Sequence, residues 1–317
     1  MKAVFLDYST MGSGLDNSPL TDLLPDLDVY EHTADEQVAG RIRDAEFVFV
    51  NKVHLNDELL EKASKLRFIG LTATGTDNID LDCAARHDVA VANIRNYCTR
   101  SVTEHVFGLL LMLTHNLHRF TKDVRDGEWQ QAQDFCMLTY PIRELSAMTM
   151  GVVGLGELGC SVARTAKHFG MRDIVAARPG EELVPEGRVA FEEFLAQSDV
   201  ISLHCPLTKE TRKLFGAAEF GAMKSSAILI NTARGGLVDS TALAEALGSG
   251  EIAAAAIDVL PEEPPVNGNP LLDYEGDNLL ITPHIAWATD RARQVAIDEL
   301  AGNVEAFLNG ERRNRVV

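Results

Sequence analysis

The sequence predicts an α/β protein built on parallel sheets that are covered on both faces. Short apolar runs recur along the chain, and they are continuous rather than alternating, as in strands buried on both sides. Helical patterns fall between the runs, which makes the βαβ unit the economical connection. One run also leads directly into a glycine-spaced loop followed by a helical pattern.

In the first third of the chain the expected strands are residues 2–6, 28–30, 47–50, 67–71 and 89–92. A second series follows at 149–153, 173–177, 200–204, 227–231, 254–258 and 279–282. Between the two series Ser101-Val102-Thr103-Glu104 reads as a capping box. Val102, Val106, Leu109, Leu110, Leu113 and Leu117 follow it at helical spacing. A domain boundary is therefore placed near residue 99, and a second just after Pro283-His284. The last helix, about 290–308, is expected to cross back to the first domain. Residues 127–145 carry Trp129 and Phe135 but no clear period, and a loop of that length reads as a dimer arm.

Composition narrows the function. The 317 residues are 46% hydrophobic and 24% charged, the ordinary mix of a globular protein with sizeable cores. Lys plus Arg is 29 and Asp plus Glu is 47, a net charge of −18. Such a surface repels phosphate backbones and anionic lipid, which argues against nucleic-acid and membrane partners. It remains compatible with an anionic substrate if the basic residues gather in a cleft, and it also fits a saline habitat. Cys83, Cys98, Cys136, Cys160 and Cys205 are scattered, odd in number and without a CxxC pair. No disulfide framework or metal site is expected from them, and a reducing cytoplasm is. The first apolar run breaks at Asp7, too early for a signal peptide. The longest apolar stretch, 106–113, is far short of a membrane span.

Gly154-Leu155-Gly156-Glu157-Leu158-Gly159 stands between a strand and a helix. In that context Gly154 makes the tight turn, Gly156 lets a pyrophosphate approach the backbone, and Gly159 permits close helix–strand packing. The free N–H groups of the helix start, over Glu157 and Leu158, receive the anion. An NAD site calls for Asp or Glu about 20 residues further on, to bind the ribose 2′-hydroxyl. Here that position holds Ala177 and Arg178 follows it, while Asp173 sits at the wrong end of the strand. Arg178 can pair with a 2′-phosphate. Alternatively it stacks on the adenine, or Glu181 or Glu182 folds back to the ribose. The reading leans towards NADP(H), with NAD(H) also accepted.

Three segments end expected strands, where open α/β sheets build their sites: Asn231-Thr232-Ala233-Arg234, Asp258 through Glu263, and Thr282-Pro283-His284. They offer an Arg, a Glu and a His beside a dinucleotide, the groups that reduction of a 2-keto acid needs. His donates a proton near neutral pH, a carboxylate fixes its ring, and Arg forks onto a carboxylate and carbonyl. Each has a plainer alternative: Arg234 as an ion-pair partner, Glu263 as a solvated loop acid, His284 as a helix cap. His105, His115 and His118 read as helix-surface or interface residues, and His204 as a satisfied strand-end residue.

Taken jointly, Gly75-Thr76-Asp77-Asn78-Ile79-Asp80, the glycine loop, His204-Cys205-Pro206-Leu207-Thr208, the segment from Asn231 to Asp239, Asp258 to Pro264 and Thr282 to Ala286 resemble the D-isomer-specific 2-hydroxyacid dehydrogenase family over nearly the full chain. The resemblance implies two Rossmann- or flavodoxin-like domains. The cofactor domain, residues 99–287, would be inserted into a substrate domain made of 1–98 and 288–317, and a homodimer would form through the cofactor domain. It implies catalytic roles for Arg234, Glu263 and His284. It also implies that Thr74, Gly75 and Thr76 receive the substrate carboxylate, and that Thr103, Cys205, Pro206, Thr211, Thr232, Ala233 and Ala286 line the cofactor. Asp258 would bond the nicotinamide carboxamide.

Some stretches, Asn51-Lys52-Val53 and His284-Ile285-Ala286-Trp287 among them, are most similar to the family's glycerate dehydrogenases, also called hydroxypyruvate reductases. Lys52 can contact a polar substrate or be a surface lysine, and Trp287 can wall the pocket or simply pack. The expected activity is reduction of hydroxypyruvate and glyoxylate with NAD(P)H. The sister alternative is a D-lactate, phosphoglycerate or sugar-acid enzyme, and the ending at Val317 weighs against the phosphoglycerate type. A remote alternative is a dinucleotide-sensing corepressor-like protein, against which the intact Arg, Glu and His argue.

Overall fold

The structure, a computed structural model, describes residues 1–181 and 183–317. The chain divides into two compact units, one of Met1–Cys98 with Ala288–Val317 and one of Thr99–Trp287. Among the described residues no helix is long and apolar enough to cross a membrane.

The first unit holds β1 (Lys2–Phe5), β2 (Asp26–Val29), β3 (Phe47–Val50), β4 (Phe68–Leu71) and β5 (Ala90–Ala92). They form one parallel sheet in the order β2-β1-β3-β4-β5, the flavodoxin-like order. β3 and β4 are buried at every residue, as continuous apolar runs require. β2 starts two residues earlier than the sequence suggests. It is an exposed edge strand whose limits follow its pairing of Lys2 with Asp26, not an apolar run. The helix Asp290–Leu308 returns here, started by the Thr289 hydroxyl, which accepts from the Ala292 N–H. It buries Ile297, Leu300 and Val304, and its Asn303 side chain donates to the Asn93 carbonyl at 2.9 Å.

The second unit holds β6 (Thr149–Val153), β7 (Arg172–Val175), β8 (Val200–Leu203), β9 (Ile228–Asn231), β10 (Ala254–Ile257) and β11 (Leu279–Ile281). All pair in parallel, in the order β11-β10-β9-β8-β6-β7. The order reverses between β6 and β8, the switch point at which such sheets take dinucleotides. Phe194, Ile201, Leu203, Phe215, Phe220, Leu229 and Leu243 fill its core.

Two local expectations are corrected. The helix starts at Thr99, not at Ser101, and runs to Thr114. The Ser101 hydroxyl is therefore inside the first turns and donates to the Ala286 carbonyl instead of capping. The helical pattern also stops before Leu117: Asn116 takes a positive φ of 51° and a second helix, Leu117–Asp126, begins. Asn sits at that bend because it tolerates the left-handed conformation. Between residues 127 and 145, Trp129, Phe135, Leu138 and Ile142 are all exposed.

Candidate active site

The carboxyl ends of the strands of the second unit carry most of the candidate residues. Val153 ends β6, and the helix Glu157–His168 starts from Gly156, which supplies no side-chain cap. The first-turn N–H groups of a helix lack intrahelical acceptors, so an anion fits there. A Cβ on Gly159 would lie 2.0 Å from the Gly154 carbonyl oxygen, whereas a Cβ on Gly156 would meet nothing within 4 Å. The third glycine is a packing requirement and the second leaves open space. Glu157 bonds the Thr99 hydroxyl, and burial pushes its carboxyl above the ordinary range.

At the end of β7 Ala177 is buried and Arg178 exposed. The Glu181 carboxylate folds back to accept the Arg178 backbone N–H at 3.1 Å. Both groups weighed from the sequence, a guanidinium and a carboxylate, thus belong to one turn. Glu182 lies outside the described residues. Asp173 pairs with Lys167 at 3.3 Å. Across the switch point, burial raises the Cys205 thiol, and Thr211 donates to the Pro206 carbonyl at 2.7 Å. Thr103 lies 2.9 Å from the Ser161 hydroxyl on the glycine-loop helix. The Thr232 hydroxyl is buried with no partner among the described residues. An orphaned hydroxyl, open space over Gly156 and uncapped helix amides fit a bound dinucleotide.

His204 departs from expectation. Its Nε2 lies 2.8 Å from the Ser202 hydroxyl, but Nδ1 is buried without a partner among the described residues. Burial pushes its pKa down to about 4, so the ring is neutral at physiological pH.

The Arg, Glu and His come from three separate loops. The Asn231 amide donates to the Arg234 carbonyl at 2.9 Å and accepts from the Ala233 N–H at 3.0 Å, which shapes the turn after β9. Arg234 is half-buried, and its Nη1 donates to the Ala233 carbonyl at 2.8 Å. A Cβ on Gly235 would lie 2.0 Å from the Leu260 carbonyl carbon, so only glycine lets this turn press on the loop after β10. In that loop Glu263 Oε1 accepts the Leu260 N–H at 2.8 Å, and Oε2 meets His284 Nδ1 at 2.6 Å. A carboxylate only accepts, so the His284 proton sits on Nδ1 and Nε2 faces any reaction. His284 caps no helix; it holds a positive φ of 56°, unusual for a residue with a Cβ.

Asp258, 1% exposed, is committed to the same loop. Its Oδ1 accepts from the Thr282 hydroxyl at 2.5 Å and the Ile285 N–H at 2.9 Å, and its Oδ2 from the Ala286 N–H at 2.9 Å. His105, read as a helix-surface or interface residue, is half-buried, and its Nε2 lies 3.1 Å from the Thr282 hydroxyl. Sequence reasoning missed this link, for which the fourfold spacing of Ser101 and His105 on one helix face was the available signal.

The remaining candidates, Trp287 apart, belong to the first unit. No acceptor among the described residues takes the N–H groups of Thr74, Gly75 or Thr76. The loop is held instead through its carbonyls and side chains: the Asn93 amide donates to the Thr74 carbonyl at 2.7 Å, and the Thr74 hydroxyl to the Ile94 carbonyl at 3.0 Å. Three adjacent free amides suit a carboxylate. Lys52 is exposed. The buried Asp7 carboxylate collects the N–H groups of Asn51, Lys52 and Val53 at 2.6–3.1 Å and fixes the turn that presents it, a role not read from the sequence. Trp287 is half-buried.

Residues 107–286 match the family model described as "D-isomer specific 2-hydroxyacid dehydrogenase, NAD binding domain". Glycerate dehydrogenase of Methylorubrum extorquens is 42% identical over 288 residues, which cover 90% of each chain. Among solved structures, an acyclic imino acid reductase in complex with NADPH and D-Arg superposes with a TM-score of 0.87 at 27% identity, over 100% of both chains. D-lactate dehydrogenase from Aquifex aeolicus, complexed with NAD and lactic acid, gives a TM-score of 0.82 at 30% identity over 98% of this chain and 96% of that one. The chain belongs to the D-isomer specific 2-hydroxyacid dehydrogenase family of NAD(P)-dependent oxidoreductases.

Proposed function

We propose that the protein reduces hydroxypyruvate to D-glycerate, and glyoxylate to glycolate, with NAD(P)H. The observation that carries the reading is the 2.6 Å contact of His284 with Glu263 beside the Arg234 turn. The glycerate dehydrogenase relative supports the substrate.

When bound, the reduced nicotinamide supplies a hydride to the carbonyl carbon. His284 gives the matching proton from Nε2 to the carbonyl oxygen, so C=O becomes CH–OH. Glu263 holds the ring through Nδ1 and so fixes the direction in which Nε2 points. The two side chains are 25% and 32% exposed, so water restores the proton afterwards. Arg234 grips the carboxylate and polarises the carbonyl by its forked N–H groups. In the first unit we assign the substrate carboxylate to the amides of Thr74, Gly75 and Thr76 and the polar end to Lys52; in the second, a wall to Trp287. The glycine loop, Thr103, Cys205, Pro206, Thr211, Thr232, Ala233 and Ala286 are assigned to the dinucleotide. For its ribose, Arg178 serves a 2′-phosphate and Glu181 a 2′-hydroxyl, so both coenzymes are accepted.

The exposed Trp129, Phe135, Leu138 and Ile142 support a homodimer through this region. Five free thiols fit a reducing compartment such as the cytoplasm.

The test is a spectrophotometric screen of hydroxypyruvate, glyoxylate, pyruvate and 2-ketogluconate against both reduced nicotinamides. Hydroxypyruvate should give the highest kcat/KM. A strong preference for pyruvate or 2-ketogluconate would overturn the substrate, and no turnover of any 2-keto acid would overturn the reaction.

A further inference from the structure

We infer that His105 is a positioning residue for His284, acting through Thr282 and Asp258; the inference rests on the catalytic reading of His284. The Thr282 hydroxyl has one proton, and at 2.5 Å that proton goes to Asp258 Oδ1. Thr282 must then accept from His105 Nε2 at 3.1 Å, which fixes the N–H on Nε2. The same nitrogen lies 3.6 Å from Asp258 Oδ1, so the dipole of this N–H also faces the buried carboxylate.

Asp258 converts that link into geometry. Three successive N–H groups of the loop end on this one residue: His284 on its carbonyl at 2.7 Å, Ile285 and Ala286 on its carboxylate at 2.9 Å each. They hold the disfavoured positive φ of His284, and with it the direction of the ring. One helical turn before His105, the Ser101 hydroxyl donates to the Ala286 carbonyl at 2.6 Å. The helix Thr99–Thr114 thus grips both ends of the loop from a single face, Thr282 through His105 and Ala286 through Ser101. By donating to the Thr282 oxygen, His105 commits the Thr282 hydroxyl proton to Asp258 and so keeps the carboxylate in the position from which it receives the loop amides. Its side chain is 20% exposed, so it is partly removed from competing water. His105 touches no reacting atom; its effect is on where Nε2 of His284 stands when the proton leaves.

The experiment compares His105→Leu, which removes the donor, with His105→Gln, whose amide keeps one at similar reach. Steady-state kcat and KM, NADH affinity and melting temperature are measured. So is the Nδ1 ¹⁵N shift of His284 in histidine-labelled protein, assigned by its loss in His284→Gln. In His105→Leu, kcat should fall about ten- to a hundredfold, as for a misplaced catalytic group. KM and NADH affinity should stay within about twofold, and the His284 shift should move. His105→Gln should recover most of kcat and the native shift. A native shift with near-native kcat in His105→Leu would overturn the inference. So would equal losses of kcat and melting temperature in both variants, which would mark a purely structural residue. If the wild type turns over no 2-keto acid, the functional reading fails, and the His284 shift in the two variants still decides whether His105 positions the ring.

Discussion

Alanine at two glycines of one loop should separate folding from coenzyme binding. A Cβ on Gly159 would sit 2.0 Å from the Gly154 carbonyl oxygen and 3.1 Å from Val152 Cγ1. Real contacts of that kind begin near 3.0 Å, so the helix Glu157–His168 must leave β6 by about 1 Å. Overpacking on this scale costs about 1–3 kcal/mol, and a clash with rigid backbone belongs at the upper end. Alanine returns about 1 kcal/mol of helix propensity. The net loss of about 2 kcal/mol should lower Tm by about 4–8 °C in a protein of this size. Gly156 contrasts in every respect. Its φ of −77° and ψ of −165° suit alanine, and beyond its chain neighbours the added methyl meets none of the described residues within 4 Å. Gly to Ala at an N-cap costs at most about 1 kcal/mol, so Tm should move by no more than about 4 °C. The methyl would instead stand where a pyrophosphate must reach the helix amides, and NADH affinity should fall about tenfold, or 1.4 kcal/mol. Calorimetry and fluorescence titration with NADH read the two effects. Native NADH affinity in Gly156→Ala would refute the anion-binding role of this loop, and a native Tm in Gly159→Ala would refute the packing argument.

His284→Ala should lower kcat about 10²- to 10⁴-fold, the usual worth of a positioned general acid, with NADH affinity unchanged; a rate within tenfold of native would remove it from that role. Arg178→Ala should cut kcat/KM for NADPH relative to NADH by about tenfold, the value of one charge-assisted hydrogen bond, while Glu181→Gln should raise NADPH use; an unchanged ratio in both would leave coenzyme choice to other groups. Burial raises the Glu157 carboxyl, and a neighbouring pyrophosphate disfavours its charged form further. NADH affinity should therefore weaken as pH rises through that raised pKa, and Glu157→Gln should abolish this dependence and tighten binding about two- to fivefold at neutral pH. Isothermal titration across pH checks it, and a native pH dependence in the variant would contradict it. Phe135→Asp with Leu138→Asp should convert a dimer to a monomer by light scattering, and an unchanged mass would exclude this apolar segment as the interface.

Legibility in the sequence followed burial. β3 and β4 are apolar at every position, and their limits agree with the expected runs to within a residue. β2 reads Asp-Leu-Asp-Val, an edge strand held by one neighbour, and no apolar run marks where it starts. The glycine loop was readable because each glycine answers a local demand. The break before Leu117 was not, because it depends on the backbone of Asn116 and not on the hydrophobic period. The same division runs through the site. Arg234, Glu263 and His284, the proposed catalytic residues, follow strand ends and were visible by type and place. The roles of Asp7, His105 and Asp258 arise from partners 44, 177 and 27 positions away in sequence, at Asn51, Thr282 and Ile285. No pattern of spacing encodes such long-range hydrogen bonds. The Ser101 hydroxyl shows the ambiguity: it satisfies a capping rule in sequence and a loop carbonyl in the fold.

A net charge of −18 poses a physical problem for a protein assigned two anionic reactants. A surface rich in lysine and arginine would solve it by attraction at long range, but this chain has only 29 such residues against 47 acids. The fold offers another route. The amides of residues 74–76 and those of the uncapped helix at Gly156 are fixed partial positive charges that need no basic side chain. They act at hydrogen-bond distance, whereas acids elsewhere on the surface are screened over about 8 Å at physiological salt. Short-range donors therefore decide binding once an anion arrives, and the acids govern how fast it comes. Neutral amides also cannot draw a carboxylate neighbour into a competing ion pair. Glu157, in the first turn of that helix, and Glu181, on the Arg178 N–H, can consequently stand beside the proposed dinucleotide site without an ion pair closing it.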